Sequence, residues 1–312
     1  MRVIFMGTPD FSVGTLEALI EAGHEVVLAV TQPDKPKGRG KSMQFPPVKE
    51  TALAHGIEVY QPVRVREQVC IDHLKQYEAD IIVVVAFGQI LPKEILDMPR
   101  YGCVNVHASL LPKYRGAAPI QWAVINGEQV TGVTTMRMDE GLDTGDMILK
   151  EEVVLKPEET GGSLFDRLAE TGAALCVRTL AAIEDGSAVY TPQEHDKATH
   201  TTMIKKQLGE IVWEKSALEL ERLIRGLNPW PSAYTHLNGK TLKIWKAVVK
   251  EQVQAHAEPG SVVEVFKDSI LVQTGCGLLQ LVEVQLEGKK RMTTDAFLRG
   301  FPLETGSRLG KE

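Results

Sequence analysis

Asn105 and His107 stand two residues apart in the run GCVNVHASLLPKYRGAAPI, residues 102–120. Val104 and Val106 alternate with them. On an extended strand every second side chain leaves from the same face, so the amide and the imidazole share one side. An amide NH₂ can donate to a carbonyl oxygen as that oxygen gains negative charge. An imidazole can take or relay a proton near neutral pH. Together they are tools for acyl transfer, and a nucleophile is what they lack: no Ser or Cys sits in a G-x-S-x-G elbow. The attacking group is then an amine brought by a substrate, and that amine must shed a proton. A third group should orient the imidazole. Asp143, in MDEGLDTGD (residues 138–146), is the candidate, because Gly141 and Gly145 allow a tight loop that returns a carboxylate over a sheet. An isolated N-x-H is more often a locally satisfied polar pair. The run from Ser109 to Pro112, followed by Tyr114 to Pro119, exceeds what a connecting loop requires.

The elements that must position these residues are legible in the apolar pattern. Val3–Met6 is a short apolar run that ends at Gly7-Thr8-Pro9. A helical pattern follows, with Phe11, Leu16, Leu19 and Ile20 on one face, and Val26–Val30 is a second apolar run. Strand, helix and strand within about 30 residues make a βαβ unit. Ile57–Val59, Ile81–Val85 and Val104–Val106 read as further strands covered on both faces. The expectation is an α/β domain with a doubly wound, mostly parallel, Rossmann-like sheet over residues 1–190, closed by a helix from about Ser163 to Asp185. In such sheets ligands bind at the carboxyl ends of the strands. Residues 191–209 are polar and read as a linker. Over 210–312, a helix at Leu218–Leu227 precedes short strands at Ala233–Leu237, Leu242–Val249, Gly260–Val265, Ser269–Gln273 and Leu278–Val284. About five short strands in so little chain suggest a small closed or partly open barrel that resembles an OB-fold, a fold that commonly binds nucleic acid.

Composition narrows the class. The 312 residues are 43% hydrophobic and 24% charged, as in an ordinary globular protein of two domains. Net charge is −6, but residues 1–190 hold 18 basic and 26 acidic residues, whereas 191–312 hold 17 and 15. A mildly basic second half suits a polyanion. Cys70, Cys103, Cys176 and Cys276 are too scattered for zinc or redox spacing. With no apolar run that suits a signal peptide or a membrane span, a reducing, cytoplasmic setting and no membrane partner are expected. Gly38-Arg39-Gly40-Lys41-Ser42 imitates the end of a P-loop, but its first glycine position is Lys35. The first βα turn, Gly7-Thr8-Pro9-Asp10, is not a dinucleotide fingerprint, and Asp139, Asp143 and Asp146 lack EF-hand glycine spacing, so no metal is expected.

The run NVHASLLPKYRGAAPI (residues 105–120) with the downstream DEGLDTGD (residues 139–146) resembles the folate-dependent formyltransferases that use 10-formyltetrahydrofolate. The likeness extends over nearly the whole chain to the branch of that family acting on methionyl-tRNA. It includes FMGTPDF at residues 5–11, TQPD at 31–34, AFGQILP at 86–92 and NPWP at 228–231. The resemblance implies Asn105, His107 and Asp143 as the catalytic set: Asn105 on the formyl oxygen, His107 moving the amine proton, Asp143 holding His107. It implies folate contacts from Ser109, Leu110, Leu111 and Pro112, with Phe87, Gly88, Gln89 and Ile90 beside them. It further implies a 10-formyltetrahydrofolate co-substrate and the methionine amine of initiator Met-tRNA as acceptor, and no obligatory protein partner is evident in the sequence.

The loop from Lys35 to Lys49 holds five bases and no acid, with Gly38 and Gly40 inside it. A basic, glycine-rich insertion in an acidic domain suits RNA. By resemblance it meets the acceptor stem, with Arg39 as the recognition arginine and Lys37 and Lys41 beside it. Residues 210–312 are expected to bind tRNA, with Lys205 and Lys206 adding contacts from the second half, while Trp230 and Trp245 read as barrel residues. Glu210-Ile211-Val212-Trp213 departs from the Arg-Ile-Asp-Trp run frequent in that family, which touches only the expected linker contacts. Two other readings are a formyltransferase for a small amine and a non-catalytic RNA- or folate-binding protein.

Overall fold

The computed structural model describes residues 1–37, 42–250 and 257–310. The chain divides into two compact units, one of Met1–Pro119, Val130–Val154 and Phe165–Thr201, the other of Ile120–Gln129, Leu155–Leu164 and Thr202–Glu312. The strands of the first unit are β1 (Arg2–Gly7), β2 (Glu25–Val30), β3 (Lys35–Lys37), β4 (Ser42–Gln44), β5 (Val59–Tyr60), β6 (Ile81–Val85), β7 (Cys103–His107), β8 (Arg115–Gly116), β9 (Val130–Arg137), β10 (Met147–Val154) and β11 (His200–Thr201). Helices α1 (Asp10–Glu21), α2 (Pro47–Ala54), α3 (Gln68–Lys75) and α4 (Lys93–Leu96) alternate with them. Helix α5 (Pro119–Ile125) belongs from Ile120 to the second unit, whereas α6 (Gly161–Glu184) belongs to the first from Phe165 on.

Seven strands form one sheet in the order β10-β9-β7-β6-β1-β2-β5. The pairs from β7 through β6, β1 and β2 to β5 are parallel, and β9 and β10 are added antiparallel. Val3, Ile4, Phe5 and Met6 and all of Ile81–Val84 are buried, as near-continuous apolar strands require. The chain runs outward from β1 to β2 and β5 and then crosses back to β6. The strand order thus reverses between β1 and β6, the place where such sheets bind ligands beyond their carboxyl ends, one strand away from Asn105 and His107. Helix α6 covers β7 and β9 at close range: a side chain at Gly172 would meet Val106 Cγ1 at 3.0 Å.

The first unit runs on to Thr201, past the expected boundary at 190. Its polar residues are used by the backbone rather than left in solvent. Thr191 bridges Met147, and β11 pairs in parallel with β8.

In the second unit α7 (Ala217–Gly226) is started by a capping box, in which Ser216 and Glu219 satisfy each other's backbone amides. It packs on an antiparallel sheet ordered β12-β13-β16-β15-β14, made of β12 (Ala233–Leu237), β13 (Lys240–Lys250), β14 (Val262–Val265), β15 (Ile270–Gln273) and β16 (Leu278–Leu286). β17 (Met292–Thr293) pairs with β16, and α8 (Thr294–Gly300) follows. Leu220, Ile224, Leu242, Ile244, Val272 and Leu281 share one core. Trp230 departs from expectation: it is 55% exposed, because it sits in the turn before β12 and not on a strand. Trp245, on β13, is half-buried and donates its indole N–H to Gln285 Oε1 at 3.1 Å.

Candidate active site

β7 carries Asn105 and His107, the two residues expected to do chemistry. Its parallel pairing with β6 and antiparallel pairing with β9 fix Asn105 opposite Val84 and Met136, and His107 opposite Thr134. The strand carries both side chains to one face, and the loop after β9 supplies the carboxylate. Asp143 Oδ1 accepts from Asn105 Nδ2 across a long 3.4 Å, and Asp143 Oδ2 lies 3.7 Å from His107 Nδ1. The Gly116 amide donates to Asp143 Oδ2 at 2.8 Å. The structure therefore brings Asn105, His107 and Asp143 together.

The backbone sets the tautomer of His107. Its Nε2 lies 2.9 Å from the carbonyl oxygen of Tyr114, which can only accept. The neutral ring thus carries its proton on Nε2 and presents the Nδ1 lone pair toward Asp143. When Nδ1 gains a proton, both N–H groups have oxygen partners. The ring is 7% exposed, so these partners replace water.

The supporting backbone is unusual in the same places. Ala86, Tyr114, Ala118 and Asp143 adopt φ between 47° and 61°, where non-glycine residues are uncommon. Two of them supply site atoms directly: the Tyr114 carbonyl and the Asp143 carboxylate. The loop around Asp143 is shaped by Asp139, whose Oδ1 accepts from the Gly141 amide at 3.0 Å and the Thr144 hydroxyl at 2.6 Å. That use accounts for the acidic cluster by local hydrogen bonds. Among the described residues no group of three His, Cys, Asp or Glu side chains could hold a metal ion.

The stretches expected to contact folate leave adjacent strands, Phe87–Ile90 from β6 and Ser109–Pro112 from β7. Ser109 spends its hydroxyl on the Lys113 carbonyl at 2.6 Å and is buried. Leu111 receives Thr134 Oγ1 on its amide at 3.1 Å and Lys150 Nζ on its carbonyl at 2.5 Å. Burial draws the Lys150 ammonium below the usual lysine range, against the opposing charge of Glu194. Phe87 is buried, and its carbonyl accepts from Gln32 Nε2 at 3.1 Å. Gln89 ties its amide to Val65 and Pro62. Gly88 and Ile90 stand exposed, while Leu110 and Pro112 are half-buried. The Ser109 hydroxyl and the Gln89 amide are thus both spent within the protein.

Of the residues expected to contact RNA, Arg39 and Lys41 lie outside the described residues. The backbone of Lys37 closes a small β3–β4 ladder opposite Ser42. Lys205 and Lys206 are exposed on the second unit. Gln193, His195 and Thr199, which the sequence did not single out, bond respectively to the Asp143 carbonyl, the Arg115 guanidinium and the Tyr114 amide. These residues sit in the polar stretch read as a linker, and composition alone holds no signal for them.

The formyl transferase family pattern matches residues 1–180, and the pattern for the formyl transferase C-terminal domain matches residues 203–302. The chain is 70% identical over 307 residues to a methionyl-tRNA formyltransferase of Agathobacter rectalis, covering 98% of this chain and 99% of that protein. It is 58% identical over 315 residues to a methionyl-tRNA formyltransferase of Lachnospira eligens, covering 100% of each. In fold it is similar to WlaRD, a sugar 3N-formyl transferase, with a TM-score of 0.67 and 19% identity over 93% of this chain and 99% of that one. An N-formyltransferase from Helicobacter canadensis gives a TM-score of 0.66 at 18% identity, over 94% and 100% of the two chains.

Proposed function

The chain belongs to the methionyl-tRNA formyltransferase family, and from that premise we propose that Asn105, His107 and Asp143 carry formyl transfer from 10-formyltetrahydrofolate to the methionine amine of initiator Met-tRNA. The convergence of the three side chains, with His107 held in one tautomer, carries the assignment of roles. Leu110, Pro112, Gly88 and Ile90, not fully buried, are members of the two expected folate stretches left open to a flat heterocycle.

The bound folate supplies the formyl carbon and the nitrogen that leaves it. The residues do the rest. Asn105 Nδ2 donates to the formyl oxygen as the incoming amine adds and negative charge builds there. His107 Nδ1 takes the proton that the amine sheds, while the Tyr114 carbonyl keeps Nε2 protonated throughout. Asp143 Oδ2 then faces a new N–H and steadies the imidazolium. The same proton is available to the departing nitrogen as the carbon–nitrogen bond to the donor breaks, which restores neutral His107. One bond forms, one breaks, and no net proton is consumed.

In this reading the first unit carries the chemistry and the basic Lys35–Lys49 loop meets the acceptor stem, with Arg39 as its recognition residue. Residues 210–312, with Lys205 and Lys206 just before them, add phosphate contacts. The test is incubation of the purified protein with 10-formyltetrahydrofolate and Met-charged initiator tRNA, with Met-charged elongator tRNA as control. Selective formylation of the initiator, weakening as salt rises, is expected. Absence of transfer to either tRNA would overturn the proposal.

A further inference from the structure

The loop that presents Asp143 is gripped from behind by a residue outside the catalytic set. Gln193 is 5% exposed. Its Nε2 donates to two backbone carbonyls of that loop, those of Asp143 at 2.9 Å and Gly145 at 2.8 Å. A side-chain amide can make this contact only when its NH₂ faces the loop. Arg115 enforces that orientation. Its Nε and Nη2 both donate to Gln193 Oε1, at 3.0 and 2.7 Å. Arg115 is itself 3% exposed. Its Nη2 also lies 3.2 Å from His195 Nδ1, which must present a lone pair to receive it.

The same segment fixes the two other backbone groups of the site. Thr199 Oγ1 accepts from the Tyr114 amide at 2.8 Å, and the Thr199 carbonyl accepts from the Arg115 amide at 2.8 Å. Thr201 Oγ1 donates to the Arg115 carbonyl at 3.1 Å. Residues 193–201 thus brace the stretch that supplies the Tyr114 carbonyl to His107 and the Gly116 amide to Asp143.

We propose that Gln193 is a positioning residue for formyl transfer: clamped by Arg115, its amide holds the Asp143–Gly145 backbone so that the Asp143 carboxylate faces Asn105, His107 and the Gly116 amide. This deepens the reading above and rests on it. Gln193 touches no reacting atom. Its effect should fall on kcat and the shape of the pH–rate profile, and not on substrate affinity.

The test compares wild type with Gln193→Glu and Gln193→Ala. Gln193→Glu keeps shape and the acceptor for Arg115 but removes the donor to the loop. It therefore guards against a loss of folding in Gln193→Ala. Melting temperature, kcat, KM for each substrate, the pH–rate profile, and the ¹H position of the Gly116 amide are measured on the full chain. The Gly116 signal needs no substrate, and its bond to a carboxylate makes it sensitive to where Asp143 sits. In both variants we expect kcat to fall about 10- to 100-fold, the range that follows from a misplacement on the order of 1 Å. KM should stay within about threefold, the pH profile should change shape, and the Gly116 amide should move upfield. Folded variants with wild-type kcat, or with reduced kcat and an unmoved Gly116 signal, would overturn the proposal. A Gln193→Glu protein as active as wild type would do so too, since it would show that only the Arg115 contact matters. If wild type transfers no formyl group, the functional reading fails by itself, and the Gly116 signal alone decides whether Gln193 holds the loop.

Discussion

The carbonyl of Tyr114 leaves His107 one basic nitrogen, Nδ1, and that nitrogen faces Asp143. Among the described residues the Asn105 amide NH₂ bonds only to Asp143, across a long distance that a substrate oxygen can replace. Asn105→Ala is therefore expected to lower kcat by about 10²–10³, the usual cost of one oxyanion donor, with melting temperature unchanged. Steady-state kinetics beside a thermal melt checks both parts. Glycine at 145 is a separate requirement. A side chain there would run into the Arg137 carbonyl, which is backbone and cannot swing away. Gly145→Ala should cost about 1–3 kcal/mol of overpacking strain and lower activity by displacing Asp143. Gly14, in α1, has open space at the same test, so Gly14→Ala should leave activity intact and serve as its control. The convergence of Asn105, His107 and Asp143 was readable because two lie on one strand and the third has a glycine two residues to either side. Gln193 was not, because its role depends on contacts with backbone carbonyls about fifty residues away in sequence.

Asp34 stands at the foot of β3 and shows how an element is anchored. Its carboxylate takes Lys49 Nζ at 2.7 Å and Gln61 Nε2 at 2.8 Å, and the same ammonium lies 4.0 Å from the centre of the Phe45 ring. Hydrogen bonding from Lys49, then from Gln61, holds the Asp34 pKa below the ordinary aspartate value. A carboxyl depressed in the folded state stabilises it above the unfolded pKa of about 3.9, and that contribution fades as pH falls through the lower folded value. Asp34→Asn should therefore melt below wild type at neutral pH, with the gap closing on acidification toward pH 3, as thermal melts across that range would record. Buried strands such as β1 and β6 announced themselves as unbroken apolar runs. β9 and β10 did not stand out, since Thr131, Thr134, Thr135 and the charged residues 150–152 interrupt them. Threonines 134 and 135 are nonetheless buried because their hydroxyls bond to Ser109 and Thr179.

Across the whole molecule the four cysteines sort by burial rather than by spacing. Burial pushes the thiols of Cys103 and Cys176 up to about 12, while Cys276 is exposed. Alkylation of the native protein at pH 8 should label Cys276 and spare Cys103 and Cys176 until denaturant is added, as peptide mapping would show. The two-unit layout was legible at the level of composition and strand counts, but the end of the first unit was not. Polar residues that bond to a distant backbone look, in sequence, like residues that bond to water.

The seven-stranded sheet also ends somewhere, and its ends govern how the protein behaves in a crowd. One border is β5, only two residues long. The other is β10, where Thr191 bridges Met147, Lys150, Glu151 and Glu152 stand in the middle, and Arg167 covers the Val154 carbonyl at 3.1 Å. A neighbouring chain that tried to add a strand would have to desolvate those charges. Glu152→Val, which alters no contact of the active site, should leave kcat unchanged yet lower the concentration at which light scattering first detects self-association.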